Sequence, residues 1–172
     1  MKTIIYCLLV AGVVVATGCS STSTQTNVGP ARQGTFSFAP SPSPLPQFAE
    51  KSAHVQSLVQ NAITATLEHK NLTRVARSGN VLVACVVVVD DNVPAATVDE
   101  YLGNTQAVSA ANPIGAYGSG TLVVQIVDVR TNKLLYRGAV SRRFLRNAPD
   151  DLRADRIQSV VDQALAGFHT VE

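Results

Sequence analysis

The chain has 172 residues, of which 46% are apolar but only 5% aromatic, with no Trp and a formal charge of +2. That length suits one domain with an aliphatic core and is too short for two comfortable ones. Lys2 lies in a segment expected to be removed, so the mature surface is nearly neutral, which argues against a general nucleic-acid binder.

Residues 1–18 read as a secretion signal: Lys2 gives the basic start, and Ile4 to Val15 is an apolar run too short to span a bilayer comfortably. The segment ends in Ala16-Thr17-Gly18-Cys19, which resembles a bacterial lipobox, where the Cys becomes the first mature residue and carries acyl chains. Ala16 stands where Leu is commoner, and an ordinary signal peptide with an incidental Cys is the alternative. Several acyl chains, at ~0.8 kcal/mol per buried methylene, anchor a protein essentially permanently. Ser20 and Ser21 in place of Asp suggest onward sorting to the outer membrane, with a periplasm-facing placement favoured over a surface-facing one. Residues 19–34 are then a flexible Ser/Thr-rich tether, reaching about 50 Å when fully extended. With Cys7 lost and Cys19 lipidated, only Cys85 is left, so no intramolecular disulfide is expected. Inside VLVACVVVV it reads as a small buried hydrophobe, with a reactive thiol as the sharper alternative.

Residues 35–172 read as one α+β domain. Phe36 and Phe38 alternate in a short strand stopped by Pro40, and the prolines of PSPSPLP make a stiff connector or, alternatively, a polyproline-type ligand. From about Gln47 to Lys70 the period turns helical. Val55, Leu58, Val59, Ala62, Ile63, Thr66 and Leu67 form one stripe, and Asn71 can end the helix in the left-handed region. Val81 to Val89 is a strand apolar on both faces, hence central in a sheet. The stretch 90–119 reads as a long loop with a short helix capped by the Thr97-Val98-Asp99-Glu100 box, and it is the favoured place for partner contact. After Asn147 to Pro149, Asp150 can cap a closing helix whose stripe is Ile157, Val160, Val161, Ala164, Leu165 and Phe168.

Between them lies a β-hairpin, Gly120 to Leu145. Leu122, Val124 and Ile126 of its first arm face one way with Leu134, Tyr136 and Val140 of its second; Thr121, Val123, Gln125 and Val127 face the other with Leu135, Arg137, Ala139 and Ser141. Matching the apolar sets pairs Ile126 with Tyr136, Leu122 with Val140 and Gln125 with Arg137. That register leaves Arg130-Thr131-Asn132 as a loop and predicts a positive φ at Asn132.

No residue set forms a catalytic constellation, and no cofactor or metal is expected. His54, His69 and His169 lack partners at ligand spacing. Asp90-Asp91 and Asp99-Glu100 read as solvated acids, with a cation site as the alternative. Arg130, Lys133, Arg137, Arg142, Arg143 and Arg146 are the one charge concentration, read as protection of an edge strand or, alternatively, as a contact for anionic head groups or an acidic partner. A possible contact surface is the second hairpin face with its basic end: Val123, Gln125, Val127, Arg137, Arg142 and Arg143.

The segments AITATLEHKNL, VLVACVVV, GTLVVQIVDVRTNKLLYRGAVSR and IQSVVDQALAGF resemble the bacterial lipoprotein family catalogued as domain of unknown function 4136, over roughly residues 35–169. Gly120, Thr121, Leu122, Arg137 and Gly138 sit at matching positions. Asn71 replaces a Gly of the usual pattern, Gln125 an Asp, Tyr136 a Trp, and Ser78-Gly79-Asn80 a Pro-Asp entry. The resemblance implies an outer-membrane or periplasm-facing lipoprotein and no assigned activity. The expected architecture is a two-layer α+β sandwich, a mostly antiparallel sheet of about four strands with two helices on one face. The expected function is a non-enzymatic lipoprotein, anchored to the membrane at Cys19, that acts as an accessory or protein-binding module of the envelope. A carrier of an apolar or anionic small ligand is the alternative, with an enzyme third.

Overall fold

A strand that is apolar on both faces needs two covers, and among the described residues three helices contribute to them. The structure, a computed structural model, describes residues 22–27, 29, 31–32, 34–40, 53–103, 115–142 and 149–171. In chain order the elements are β1 (Thr22–Asn27), β2 (Ala31–Arg32), β3 (Gly34–Phe38), α1 (Ala53–Glu68), β4 (Leu72–Arg74), β5 (Val81–Val88) and β6 (Val93–Pro94). There follow α2 (Ala95–Tyr101), β7 (Ala116–Tyr117), β8 (Thr121–Asp128), β9 (Lys133–Ser141), α3 (Asp150–Ala164) and β10 (Thr170–Val171).

Six strands form one sheet in the order β1-β9-β8-β5-β3-β4, while β10 with β2 and β6 with β7 make two small ladders. The α+β class is as expected, but the four-stranded, mostly antiparallel, two-layer arrangement is overturned. The sheet is mixed, since β3 pairs in parallel with both β4 and β5. Parallel pairing follows from α1, which follows β3 and returns the chain to the end where β3 began. A strand also forms where a tether was expected. Thr22–Asn27 pairs antiparallel with β9, from Thr22 opposite Ser141 to Asn27 opposite Tyr136. Its sequence TSTQTN has no apolar alternation to announce a strand, but Thr suits a pleated edge.

The alternation along β5, β8 and β9 splits the core in two. On one face Val81, Val83, Leu122, Val124, Ile126, Tyr136 and Val140 join Phe36 beneath α1 and α3, which contribute Ile63, Leu67, Val161, Leu165 and the adjoining Phe168 among others. On the other, Val86, Val88, Val123 and Ala139 pack with Val93, Ala95, Val98, Tyr101 and Tyr117 of α2 and the β6–β7 ladder. That second cover makes a third layer. Helices α1 and α3 are also clasped by polar groups: the Thr66 hydroxyl donates to Asp162 Oδ1 at 2.8 Å and accepts from Gln158 Nε2 at 3.0 Å.

The hairpin register is as read, with Ile126 opposite Tyr136, Leu122 opposite Val140 and Gln125 opposite Arg137, and Asn132 has φ 51°. Its tip differs. Val127 pairs with Leu134 and Asp128 with Lys133, so the ladder shifts after Ile126 and the loop is Val129 to Asn132. The bulge reverses the parity of the second arm's start, and Leu135, not Leu134, packs into the α1–α3 cluster. Asp128 Oδ1 holds the loop by accepting from the Thr131 N–H and hydroxyl, each at 2.7 Å. Those bonds lower the Asp128 pKa below the ordinary carboxylate value. Asn71 likewise takes φ 64° at the end of α1. Neither predicted N-terminal cap forms: Pro94 precedes α2 and Pro149 precedes α3, without side-chain capping bonds.

Helix α3 ends against the backbone of the sheet. Its last carbonyls lack partners within the helix, and side chains of β1 and β9 supply them. Gln25 Nε2 donates to Gln163 O at 2.8 Å, the Tyr136 hydroxyl to Ala164 O at 2.6 Å, and Asn27 Nδ2 to Gly167 O at 3.1 Å. A Cβ at position 138 would lie 1.9 Å from Ala164 O, so only glycine lets the helix come this close. Gly138→Ala is therefore expected to destabilise the fold by about 1–3 kcal/mol through overpacking, read as a lower urea midpoint.

Burial pushes the Tyr136 pKa from 10.0 up to about 12. The fold favours the neutral phenol, so this contribution is intact below pH 10 and is lost as pH rises from 10 towards 12. Comparing alkaline unfolding of the wild type with Tyr136→Phe should show a shallower decline in the variant, by about 1–3 kcal/mol over that window.

Candidate functional site

The second face of β8 and β9 carries the polar residues singled out from the sequence. Along β8 it presents Thr121, Val123, Gln125 and Val127, and along β9 Arg137, Ala139 and Ser141. Helix α2 lies over it and points Ala95, Val98, Asp99 and Tyr101 inward. Arg137 and Asp99 are both almost fully buried, at 4% and 2% exposure, and they form an ion pair through Arg137 Nη1 and Asp99 Oδ1. Arg137 Nη2 donates to the Tyr117 hydroxyl at 3.1 Å, and the guanidinium carbon lies 5.9 Å from the centre of the Tyr117 ring. Its Nε is buried with no hydrogen-bond partner among the described residues. Gln125, opposite Arg137 in the ladder, donates from Nε2 to Leu102 O at the end of α2, at 3.4 Å. At the open end of the strands, Thr121 donates to Gly118 O at 2.6 Å, and its hydroxyl lies 2.7 Å from that of Ser141.

A buried pair of this kind gains little net stability, because desolvating two ions offsets their attraction. Its effect is positional. The carboxylate on α2 and the guanidinium on β9 can each be buried only if the other is there, so α2 has one register on the sheet. Tyr117 extends the same constraint to the β6–β7 ladder.

The proposed contact residues are thus dispersed. Val123, Gln125 and Arg137 lie beneath α2, Val127 is half-buried, and Arg142 is exposed with Nη2 donating to Gln163 Oε1 at 3.2 Å. Arg143 and Arg146, like Cys19, lie outside the described residues. Among the described residues the basic concentration does not form one patch: Arg130 and Lys133 stand at the hairpin tip, Arg137 is internal, and Arg142 is at the opposite end. Nor is β9 an edge strand to be protected, since β1 covers it. Asp91 is an exposed acid that accepts from Ser119 N at 3.0 Å, and among the described residues no three His, Cys, Asp or Glu side chains cluster as metal ligands. Cys85 is half-buried against the α1–α3 core.

Both partners of Arg137, Asp99 and Tyr117, come from the stretch 90–119, far from it in sequence. A trace was present in the sequence: Ala95, Val98 and Leu102 fall at i, i+3 and i+7, and Asp99 at i+4 shares their stripe. A charge on the apolar face of a short helix calls for an internal partner.

The sequence matches the family described as Domain of unknown function (DUF4136) over residues 20–168. The chain belongs to that family. The match begins ahead of β1, so the first strand falls inside the family's domain. Gln125 stands opposite Arg137 in the ladder, and the acid paired with Arg137 comes from α2. No curated protein matches the chain. Among solved structures it is similar to the PelC dodecamer from Paraburkholderia phytofirmans, at 10% identity and a TM-score of 0.54, covering 89% of this chain and 100% of that one. It also resembles a PDZ domain protein from Parabacteroides distasonis, at 16% identity and a TM-score of 0.48, covering 89% of this chain and 36% of that one. At 10% identity the likeness to the PelC dodecamer is one of fold.

Replacing Asp99 with Ala leaves the Arg137 charge buried without its counter-ion, and the expected cost is about 3–5 kcal/mol. The double variant Asp99→Leu with Arg137→Met should recover most of that loss in chemical denaturation, as an apolar substitute for the pair.

Proposed function

We propose that this protein is a non-enzymatic lipoprotein of the bacterial outer membrane, anchored through Cys19, and that it serves as an accessory or assembly module by binding protein at its surface. The observation that carries this reading is the closure of the second sheet face. Arg137, Asp99, Gln125 and Tyr117 are bound to one another or to α2 beneath it, in contacts that fasten the fold rather than present groups to a substrate. The lipobox-like Ala16-Thr17-Gly18-Cys19 supports the anchor and the location. A fold shared with a protein solved as a dodecamer supports a surface-driven role.

A carrier would need room between sheet and loop, and Val123 there is wholly enclosed with Val86, Val98 and Ala139. The two readings separate in native mass spectrometry of the acylated protein purified in mild detergent. Stoichiometric protein, whether further copies or a distinct chain, is expected. A small molecule released on denaturation from an otherwise solitary chain would overturn the module in favour of the carrier.

A further inference from the structure

The position of β1 relative to Cys19 constrains how the domain meets a bilayer. Only Ser20 and Ser21 separate the proposed lipidation site from Thr22, the first residue of a strand paired along its length with β9. At ~3.3–3.6 Å per residue, the acylated Cys can lie no more than about 10 Å from the start of the sheet. A tether running to residue 34 would have allowed about 50 Å.

Strand pairing identifies what shares that end of the molecule. Thr22 is opposite Ser141, Ser141 is opposite Thr121, and Thr121 is opposite Val88. The Arg142 N–H donates to Gly120 O at 3.0 Å, and the Ser119 hydroxyl to Val89 O at 2.7 Å. Among the described residues, those exposed here include Thr22, Asp90, Asp91, Asn92, Gly118, Ser119 and Arg142. They are polar and of both signs, a surface that tolerates hydrated head groups without needing net attraction to them. The loop Val129 to Asn132 is at the other end of the eight-residue strand β8, about 27 Å away at ~3.4 Å per residue.

We infer that the domain stands on the lipid surface with the Thr22–Ser141–Ser119 end against the head groups and the hairpin loop directed away from them. This rests on the lipoprotein reading above. The covalent anchor imposes the arrangement: β1 leaves the bilayer along its own axis, and the short link leaves little freedom to turn the domain over. The hairpin loop and the outer ends of β3 and β5 then face the aqueous compartment, where a protein partner would meet them.

The test uses the full chain, acylated and reconstituted in phosphatidylethanolamine–phosphatidylglycerol vesicles that carry a head-group nitroxide quencher. In a Cys85→Ala background, a fluorophore is placed at Ser119→Cys or at Thr131→Cys, and the mass of the N-terminal peptide reports acylation of Cys19. The expected result is loss of fluorescence at 119 and none at 131. Inserting fifteen Gly/Ser residues between Ser21 and Thr22 adds roughly 20 Å of average reach and should abolish the difference. Equal quenching at both positions, or none at either, in acylated and vesicle-bound protein would overturn the orientation and leave the lipoprotein reading standing. An unmodified Cys19 would overturn that reading and the orientation with it.

Discussion

The contact on which the rest of the fold depends is the approach of α3 to strand β9 at Gly138. A helix end exposes carbonyls that must find donors, and here the donors are arrayed on neighbouring strands. Tyr136 is two residues before the glycine, and Gln25 and Asn27 come from the strand paired alongside. The absence of a side chain at 138 brings Ala164 O within range of the Tyr136 hydroxyl. The same closeness seats Phe168 against the Tyr136 ring, with centroids 5.5 Å apart. Strand β1, for all its polarity, is thereby part of the seal over the core.

The opposite face of β9 is secured by different chemistry. There the sheet is closed by a seven-residue helix, too short to be stable alone. Apolar packing supplies the adhesion, and the Asp99–Arg137 pair supplies the register. One strand thus carries two dissimilar fastenings, a glycine-permitted helix end on one side and a buried ion pair on the other. This accounts for the run Tyr136-Arg137-Gly138: a large donor, a long cation and no side chain, in consecutive positions that alternate between faces.

Much of this was legible because periodicity is a local property. The stripes of α1 and α3, the two-faced strand β5 and the hairpin register all depend on spacing within a short window, and Asn132 and Asn71 could be placed because few residues accept a positive φ. What is not legible locally depends on distant residues. TSTQTN becomes a strand because β9 offers it an edge and α3 offers it carbonyls, neither visible from within the hexapeptide. The parallel pairing of β3 with β5 depends on which way α1 returns. Arg137 reads as part of a contact surface in the sequence because the acid that buries it arrives from the distant stretch 90–119. The bulge at Leu135 is of the same kind: alternation predicts which residues share a face but not where the count slips by one.

The pairing of β1 with β9 also orders events in the life of the chain. Thr22 and Ser141 are 119 positions apart, so every element from β2 to β9 must be made before the ladder can close. Contacts that span so much sequence carry the largest loop-closure entropy and form late. Until then the open side of β9 presents unpaired backbone groups to any extended strand nearby. A segment of this same chain, held close by its own connectivity, is the competitor best placed to take that edge first.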